Sequence, residues 1–253
     1  PTIRVIAAEM AGVLKRGVPT ATSAEDAALD VIEARAHALA CPLTVIGREL
    51  LIEEATSTPG PKTTVTLRRD GDAAATPFEM GIAGAHHAEN LALAVWGAER
   101  LGVGDEAIRE AMLGLALPGI VEPRGGRPLV VVDGAHTEAS ARATREALDA
   151  CWPERETVLL LASLEGKNRD AVLQQLLPRA ASVVTTGLPT PRTVEAATLA
   201  AEARAWTEAD VTAIPSIPEA LAEARRRAGT DGMVVATGSV RLAGAVRSLT
   251  PNA

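Results

Sequence analysis

The 253-residue chain is 47% hydrophobic and 23% charged with a net charge of −7, the balance of a soluble globular protein with one large or two ordinary domains. That acidity excludes a nucleic-acid surface, which needs a concentrated basic face, and no apolar run approaches the length of about 18 residues that a membrane span needs. Cys41 and Cys151 lie far apart without metal-type spacing and read as reduced core residues of a cytoplasmic protein, while 2% aromatics and no Tyr leave little with which to stack bases or sugars.

In chain order, Pro1 to Ile6 reads as a strand, Ala7 to Leu14 as a short helix, and Val18 to Thr22 as a second strand. Ser23 is placed to cap a helix that runs to Ala40, with Ala27, Val31, Ala34 and Ala38 at helical spacing; Pro42 to Gly47 is a brief strand. The Thr-, Ser-, Pro- and Gly-rich stretch from Glu53 to Lys62 reads as a loop. Beyond it Thr63–Arg69 and Thr76–Ile82 are strands about the hairpin signal Asp70-Gly71. Helices over Asn90–Leu101 and Asp105–Leu115 follow, then a Pro- and Gly-dense segment, 118–128, that is the best domain boundary in the chain.

Beyond the boundary the pattern is regular. Leu129–Val132, Val158–Ala162, Ser182–Thr186, Asp210–Ile214 and Met233–Ala236 are apolar strand candidates. Helical stretches near Glu138–Ala150, Asp170–Leu177, Thr193–Trp206, Pro218–Ala228 and Arg241–Ser248 alternate with them, and Arg225-Arg-Arg227 before Gly229 reads as a helix end. This alternation predicts a doubly wound, mostly parallel sheet with helices on both faces.

The stretch Leu129-Val-Val-Val-Asp-Gly-Ala-His136 concentrates the candidate chemistry. A buried strand delivers Asp133 and His136 to its carboxyl end and to the start of a helix, where open α/β sheets place ligands. A plain structural reading stands beside the functional one. Asp133-Gly134 serves as a capped turn, Ser239 in Thr237-Gly-Ser239 as a helix cap, and His86-His87 as a polar helix start with Asn90 exposed one turn later.

Several patterns occur in one order: Ile6-Ala-Ala-Glu-Met-Ala-Gly-Val-Leu-Lys-Arg-Gly-Val-Pro19, Gly84-Ala-His-His-Ala-Glu-Asn90, Pro118-Gly-Ile-Val-Glu122, Val132-Asp-Gly-Ala-His136, Gly166-Lys167, Pro191-Arg192 and Thr237-Gly-Ser239. Together they resemble the folylpolyglutamate synthase and dihydrofolate synthase family of the Mur ligase superfamily over nearly the whole chain. The resemblance implies a partial α/β central, ATPase-type domain over 1–122, a hinge at 123–128 and a Rossmann-like C-terminal domain over 129–253. It implies an ATP- and Mg²⁺-dependent ligase that phosphorylates a carboxylate, after which an amino acid's amino group attacks the acyl phosphate. It places His86, Asn90 and Asp133 at the nucleotide, and His136, the one catalytic candidate, with Ser239 at the incoming amino acid.

The chain departs from the family at the phosphates. No G-x-x-x-x-G-K-[ST] loop occurs in the 253 residues, and the resemblance starts downstream of where that loop stands. Met10 occupies the position of a carbamylated Lys that helps hold metal, and a neutral thioether does not replace a carbamate oxygen. Ile120 stands where an Arg reaches the phosphates. Thr137-Glu138 replaces Asn-Pro, and Gly166-Lys-Asn168 replaces Asp-Lys-Asp; no residue is assigned as a metal ligand.

The expectation is a ligase-derived, catalytically inactive pseudoenzyme that acts as a binding or scaffolding subunit, with ATP and Mg²⁺ implied by resemblance alone. Its partners are a protein that supplies the P-loop domain, or a homologous ligase, and small molecules such as a nucleotide or amino acid. The alternative is one part of an active ATP-dependent amide ligase that adds glutamate to a carboxylate such as a folate, with the P-loop on another segment or chain. A hydrolase built on Ser239 and His136 lacks the G-x-S-x-G elbow, and Gly102-Val-Gly104 lies between helices, unlike a dinucleotide fingerprint.

Overall fold

The computed structural model describes residues 2–250, which form two compact units. The first runs through residue 56 and includes 64–80 and 85–114; the second holds 57–63, 81–84 and the chain from 115 onward. Residues 115–128, expected partly in the first domain and partly as a hinge, cluster with the second unit.

The first unit opens with a helix, α1 (Ile3–Met10), where the sequence reading expects a strand. The β-branched run Ile3-Arg-Val-Ile6 favours a strand by propensity, but the Thr2 hydroxyl accepts from the Val5 N–H (3.4 Å) and caps a helix that continues through Ala7 and Ala8. Pro1, in the same expected strand, lies outside the described residues. The small residues Ala11 and Ala36 let α1 and its 3₁₀ continuation (Ala11–Val13) approach α2 (Asp26–Ala38), which begins after Glu25 instead of at Ser23. β1 (Thr20–Thr22) and β2 (Leu43–Val45) pair in parallel as a two-stranded sheet.

The expected loop from Glu53 to Lys62 is largely strand. β3 (Leu50–Thr58), β4 (Lys62–Arg69) and β5 (Thr76–Met80) form a three-stranded sheet in that order, because β-branched Ile52, Thr56 and Thr58 suit a pleated surface and only 59–61 turn. α3 (Ala88–Arg100) and α4 (Asp105–Leu113) bury Leu91, Val95 and Ile108, while Val65, Leu67, Phe78 and Met80 are buried on the sheet. The Trp96 indole N–H donates to Thr44 Oγ1 (3.1 Å), a polar tie to β2.

The second unit is built on six strands: β6 (Glu122–Arg124), β7 (Leu129–Val132), β8 (Thr157–Leu161), β9 (Ala180–Thr185), β10 (Asp210–Ala213) and β11 (Met233–Thr237). Their spatial order is β10-β9-β8-β11-β7-β6, all parallel except β6, an edge strand that pairs antiparallel with β7. The period of two sorts the strand side chains cleanly. Val131, Leu159, Leu161, Val183 and Val235 face α5 (Glu138–Cys151), α6 (Arg169–Leu176) and α7 (Ala196–Arg204). Val130, Val132, Val158, Leu160, Val184 and Val234 face α8 (Ile217–Ala228) and α9 (Val240–Leu249) on the other side. Both faces are covered, as a parallel sheet requires.

Polar ties close the edge. Buried Arg124 donates to Glu122 (2.9 Å) and to the Thr250 carbonyl (2.7 Å), joining β6 to the end of α9. Burial opposes ionisation of Glu122, but the Gly119 N–H, Arg247 and Arg124 outweigh it and hold the carboxyl below its ordinary range. Cys41 and Cys151 are free and buried, and burial pushes the Cys151 thiol up to about 11, so it is unreactive. No helix among the described residues is long and apolar enough to cross a membrane.

Candidate functional site

The site follows from the sheet's winding. From β7 and β8 the chain continues into α5 and α6 on one face, whereas β11, inserted between those strands, continues into α9 on the opposite face. Neighbouring connections that part in this way leave a crevice at the carboxyl ends of the strands. Gly238, just after β11, sits at φ +94°, and a Cβ there would lie 2.5 Å from the Ala162 carbonyl oxygen, so only glycine lets the β11 turn rest on the end of β8. Gly134 plays the same part against Val240, whose Cγ2 a Cβ would meet at 3.0 Å.

Asp133 ties these loops together. Its Oδ1 accepts from the Ala135 N–H (2.8 Å), Thr144 Oγ1 (2.8 Å) and Thr237 Oγ1 (3.3 Å), and its Oδ2 accepts from the Val121 N–H (2.9 Å). This carboxylate, 4% exposed, accepts four hydrogen bonds inside the protein, three at Oδ1 and one at Oδ2. The bond to Val121 also holds strain, since this β-branched residue sits at φ +40°, where L side chains cost roughly 1–3 kcal/mol.

His136 Nδ1 lies 2.9 Å from the Gly134 carbonyl, which fixes that nitrogen as the donor. Thr137 caps α5 in a capping box with Ser140, whose hydroxyl also receives the His136 N–H (3.2 Å). Ser239 caps α9 by accepting from the Arg241 N–H (3.2 Å) and is 4% exposed. His136, Leu164, Lys167, Gly238, Ser239, Val240 and Arg241 enclose an open cleft of about 370 Å³. The structure thus brings together His136 and Ser239, and adds Lys167 beside them. Sequence reasoning overlooked Arg241. The signal was available: a cation in the first turn of a helix runs against the helix dipole.

The other expected residues lie in the first unit. His86 and His87 form a 3₁₀ turn ahead of α3, and Asn90 is exposed in the first turn of that helix. The buried neighbour His87 has no hydrogen-bond partner at Nε2; burial, and then the charge of His86 at 4.0 Å between ring centroids, lowers its pKa to about 4. Of the positions that the resemblance assigns to metal and phosphate, Met10 is 62% exposed and Ile120 37% exposed. Among the described residues no three of His, Cys, Asp and Glu stand together as a metal-binding set.

Residues 120–240 match the family described as "Mur ligase, glutamate ligase domain". A dihydrofolate synthase/folylpolyglutamate synthase of Bacillus subtilis is 27% identical over 187 residues, 69% of this chain and 42% of the relative, and its Mycobacterium tuberculosis counterpart is 33% identical over 192 residues, 66% of this chain and 38% of the relative. The chain therefore spans about two fifths of these curated relatives. The crystal structure of Mycobacterium tuberculosis folylpolyglutamate synthase complexed with ADP and AMPPCP superposes with a TM-score of 0.83 at 25% identity, covering 98% of this chain and 60% of that one. The ordered motifs, the six-stranded sheet and these likenesses agree in their similarity to the folylpolyglutamate synthase/dihydrofolate synthase family of Mur ligases.

Proposed function

We propose that these 253 residues bind the incoming amino acid of a folylpolyglutamate-synthase-like ligation without catalysing it on their own, a binding subunit derived from a ligase. The contrast between two groups of positions carries this reading. The switch-point cleft keeps His136, Lys167 and Ser239, while the positions that face phosphate and metal hold the apolar Met10 and Ile120. Lacking a cationic fork or hard oxygen ligands there, the chain cannot neutralise a transferring phosphoryl group. His136 in its neutral form, with Nδ1 donating to Gly134, would offer Nε2 as an acceptor to the ammonium group; the amide nitrogens that open α5 and α9 and the Lys167 ammonium receive a carboxylate.

Incubation of the purified chain with ATP, Mg²⁺, L-glutamate and a folate acceptor tests the reading. It predicts no amide product, and any amide formed at a ligase rate overturns it.

A second reading, one part of an active ligase, is favoured by a specific feature of the first unit. The parallel pair β1–β2 stands as two strands, and α1 presents Ile3, Val5, Ile6 and Met10 to solvent. A parallel sheet is stable when both faces are covered, so this region fits a further α/β element such as a P-loop segment. Amide formation that appears only on addition of a P-loop-bearing polypeptide selects this second reading.

A further inference from the structure

One strap of the second unit is held in a conformation that its sequence disfavours. Residues 117–124 pass through a turn closed by the Ile120 N–H on the Leu117 carbonyl (3.2 Å) and run into β6. Within them Val121 sits at φ +40° with its side chain 2% exposed. Among the described residues three that are not glycine have positive φ, Asp26, Ala40 and Val121, and of these Val121 alone is β-branched. Such a residue stays in the left-handed region only where its neighbours over-determine it.

Two locks do so, and they lie at opposite ends of α9. At the cleft end the Val121 N–H donates to Asp133 Oδ2 (2.9 Å), and the Gly134 N–H donates to the Gly119 carbonyl (2.8 Å). At the far end Glu122 accepts from the Gly119 N–H (2.8 Å), from Arg124 (2.9 Å) and from Arg247 in the last turn of α9 (3.0 Å). The Arg124 guanidinium also donates to the carbonyls of Arg247 (3.3 Å) and Thr250 (2.7 Å), where the helix ends.

Space for a second conformation is already present. Ile120 and Val121 form one wall of a cavity of about 200 Å³ whose other walls include Leu117, Ile82 and Pro61. A valine that turns out of the left-handed region therefore keeps apolar neighbours. We propose that the strap 117–124 is a two-state latch that couples the C-terminal end of α9 to the Asp133–Gly134 turn. In the latched state Val121 is strained and donates to Asp133. In the released state Val121 relaxes, and its N–H and the Gly119 carbonyl both leave the turn. Coupling of this kind is reciprocal, so whatever draws Arg247 away from Glu122 loosens the turn that carries His136, and whatever braces the turn tightens the end of α9. The latch does not depend on which ligand the cleft takes.

Residue-resolved hydrogen–deuterium exchange of the full chain, for the native protein, Arg247→Gln, Val121→Ala and Val121→Gly, tests it. The Arg247 side chain is 42% exposed and stands outside the cleft, so its replacement leaves the fold in place. In Arg247→Gln the Val121 and Gly134 amides should exchange at least about tenfold faster, while Val131 inside β7 stays within about twofold of its native rate. Val121→Ala and Val121→Gly both lose the buried methyls, but only alanine keeps a Cβ at φ +40°. Corrected for intrinsic rates, the amide of residue 121 should be at least about fivefold better protected in the glycine variant; at an ordinary φ the order is the reverse. Unchanged exchange at either Val121 or Gly134 in Arg247→Gln, or an acceleration that reaches Val131 equally, overturns the coupling. A glycine variant no better protected than the alanine variant removes the strain that drives release, and the latch with it.

Discussion

The two units solve the problem of a parallel sheet differently. In the second, six strands are clad on both faces, strand interiors such as Val130, Val131, Leu159 and Val234 are fully buried, and the loops at the carboxyl ends are tied through Asp133. In the first, the parallel pair β1–β2 has one buried residue, Val45, and α1 with its 3₁₀ continuation turns Ile3, Val5, Ile6, Met10 and Val13 outward. The lesson is that the second unit's cleft stands on a sheet covered on both faces, whereas Met10 and Ile120, the positions that the resemblance assigns to metal and phosphate, carry apolar side chains.

The largest blow to the second unit should come from Asp133→Ala, which leaves two N–H groups and two buried hydroxyls without their acceptor and frees strained Val121. We expect a loss of roughly 3–5 kcal/mol in urea unfolding. A loss below about 1 kcal/mol would show that the knot is not what holds the loops.

The first unit has its own weak point in His87. Its pKa of about 4 when folded lies below the ordinary 6.5, so the folded state refuses a proton that the unfolded chain accepts. The native stability is therefore complete above pH 6.5 and falls as pH drops from there towards 4, by up to about 3 kcal/mol. Unfolding curves across that range should show a slope that His87→Phe abolishes; an unchanged slope contradicts the assignment.

Gly238→Ala should cost about 2 kcal/mol, from the left-handed backbone and the Ala162 carbonyl together, and should weaken ligand binding at the cleft as the β11 turn lifts off β8. Unaltered thermal stability would mean that the turn is not pinned there. The smallest effect belongs to the outer face of α1. Ile3→Ser and Val13→Ser should each stay within about 0.5 kcal/mol, because these side chains are largely exposed. A drop of several kcal/mol would mean that this face is covered within the chain itself.

The second unit was largely legible in the sequence because each of its inner strands is a continuous apolar run. Leu129–Val132 coincides with β7, and α5, α8 and α9 fall within a residue or so of their expected bounds. Failures came where local propensity and context part. Ile3-Arg-Val-Ile6 looks like a strand until Thr2 caps it, and the stretch from Glu53 to Lys62 looks like a loop until β3 and β4 pair across it. The chemistry was legible by position and less so by partner. Asp133 and His136 were visible at a strand end, but the tie from Asp133 to Thr237 spans 104 residues, a separation that no local pattern reports. Arg241 was hidden by its surroundings, since Ser239 already accounts for the helix start as a cap.

The central claim, a retained amino-acid cleft without phosphate chemistry, meets its most direct test in calorimetric titration of ATP with and without Mg²⁺. Met10 and Ile120 offer neither metal ligand nor phosphate clamp, so the account predicts that Mg²⁺ gives no gain in nucleotide affinity. A tight, magnesium-dependent ATP complex of this chain alone would contradict it.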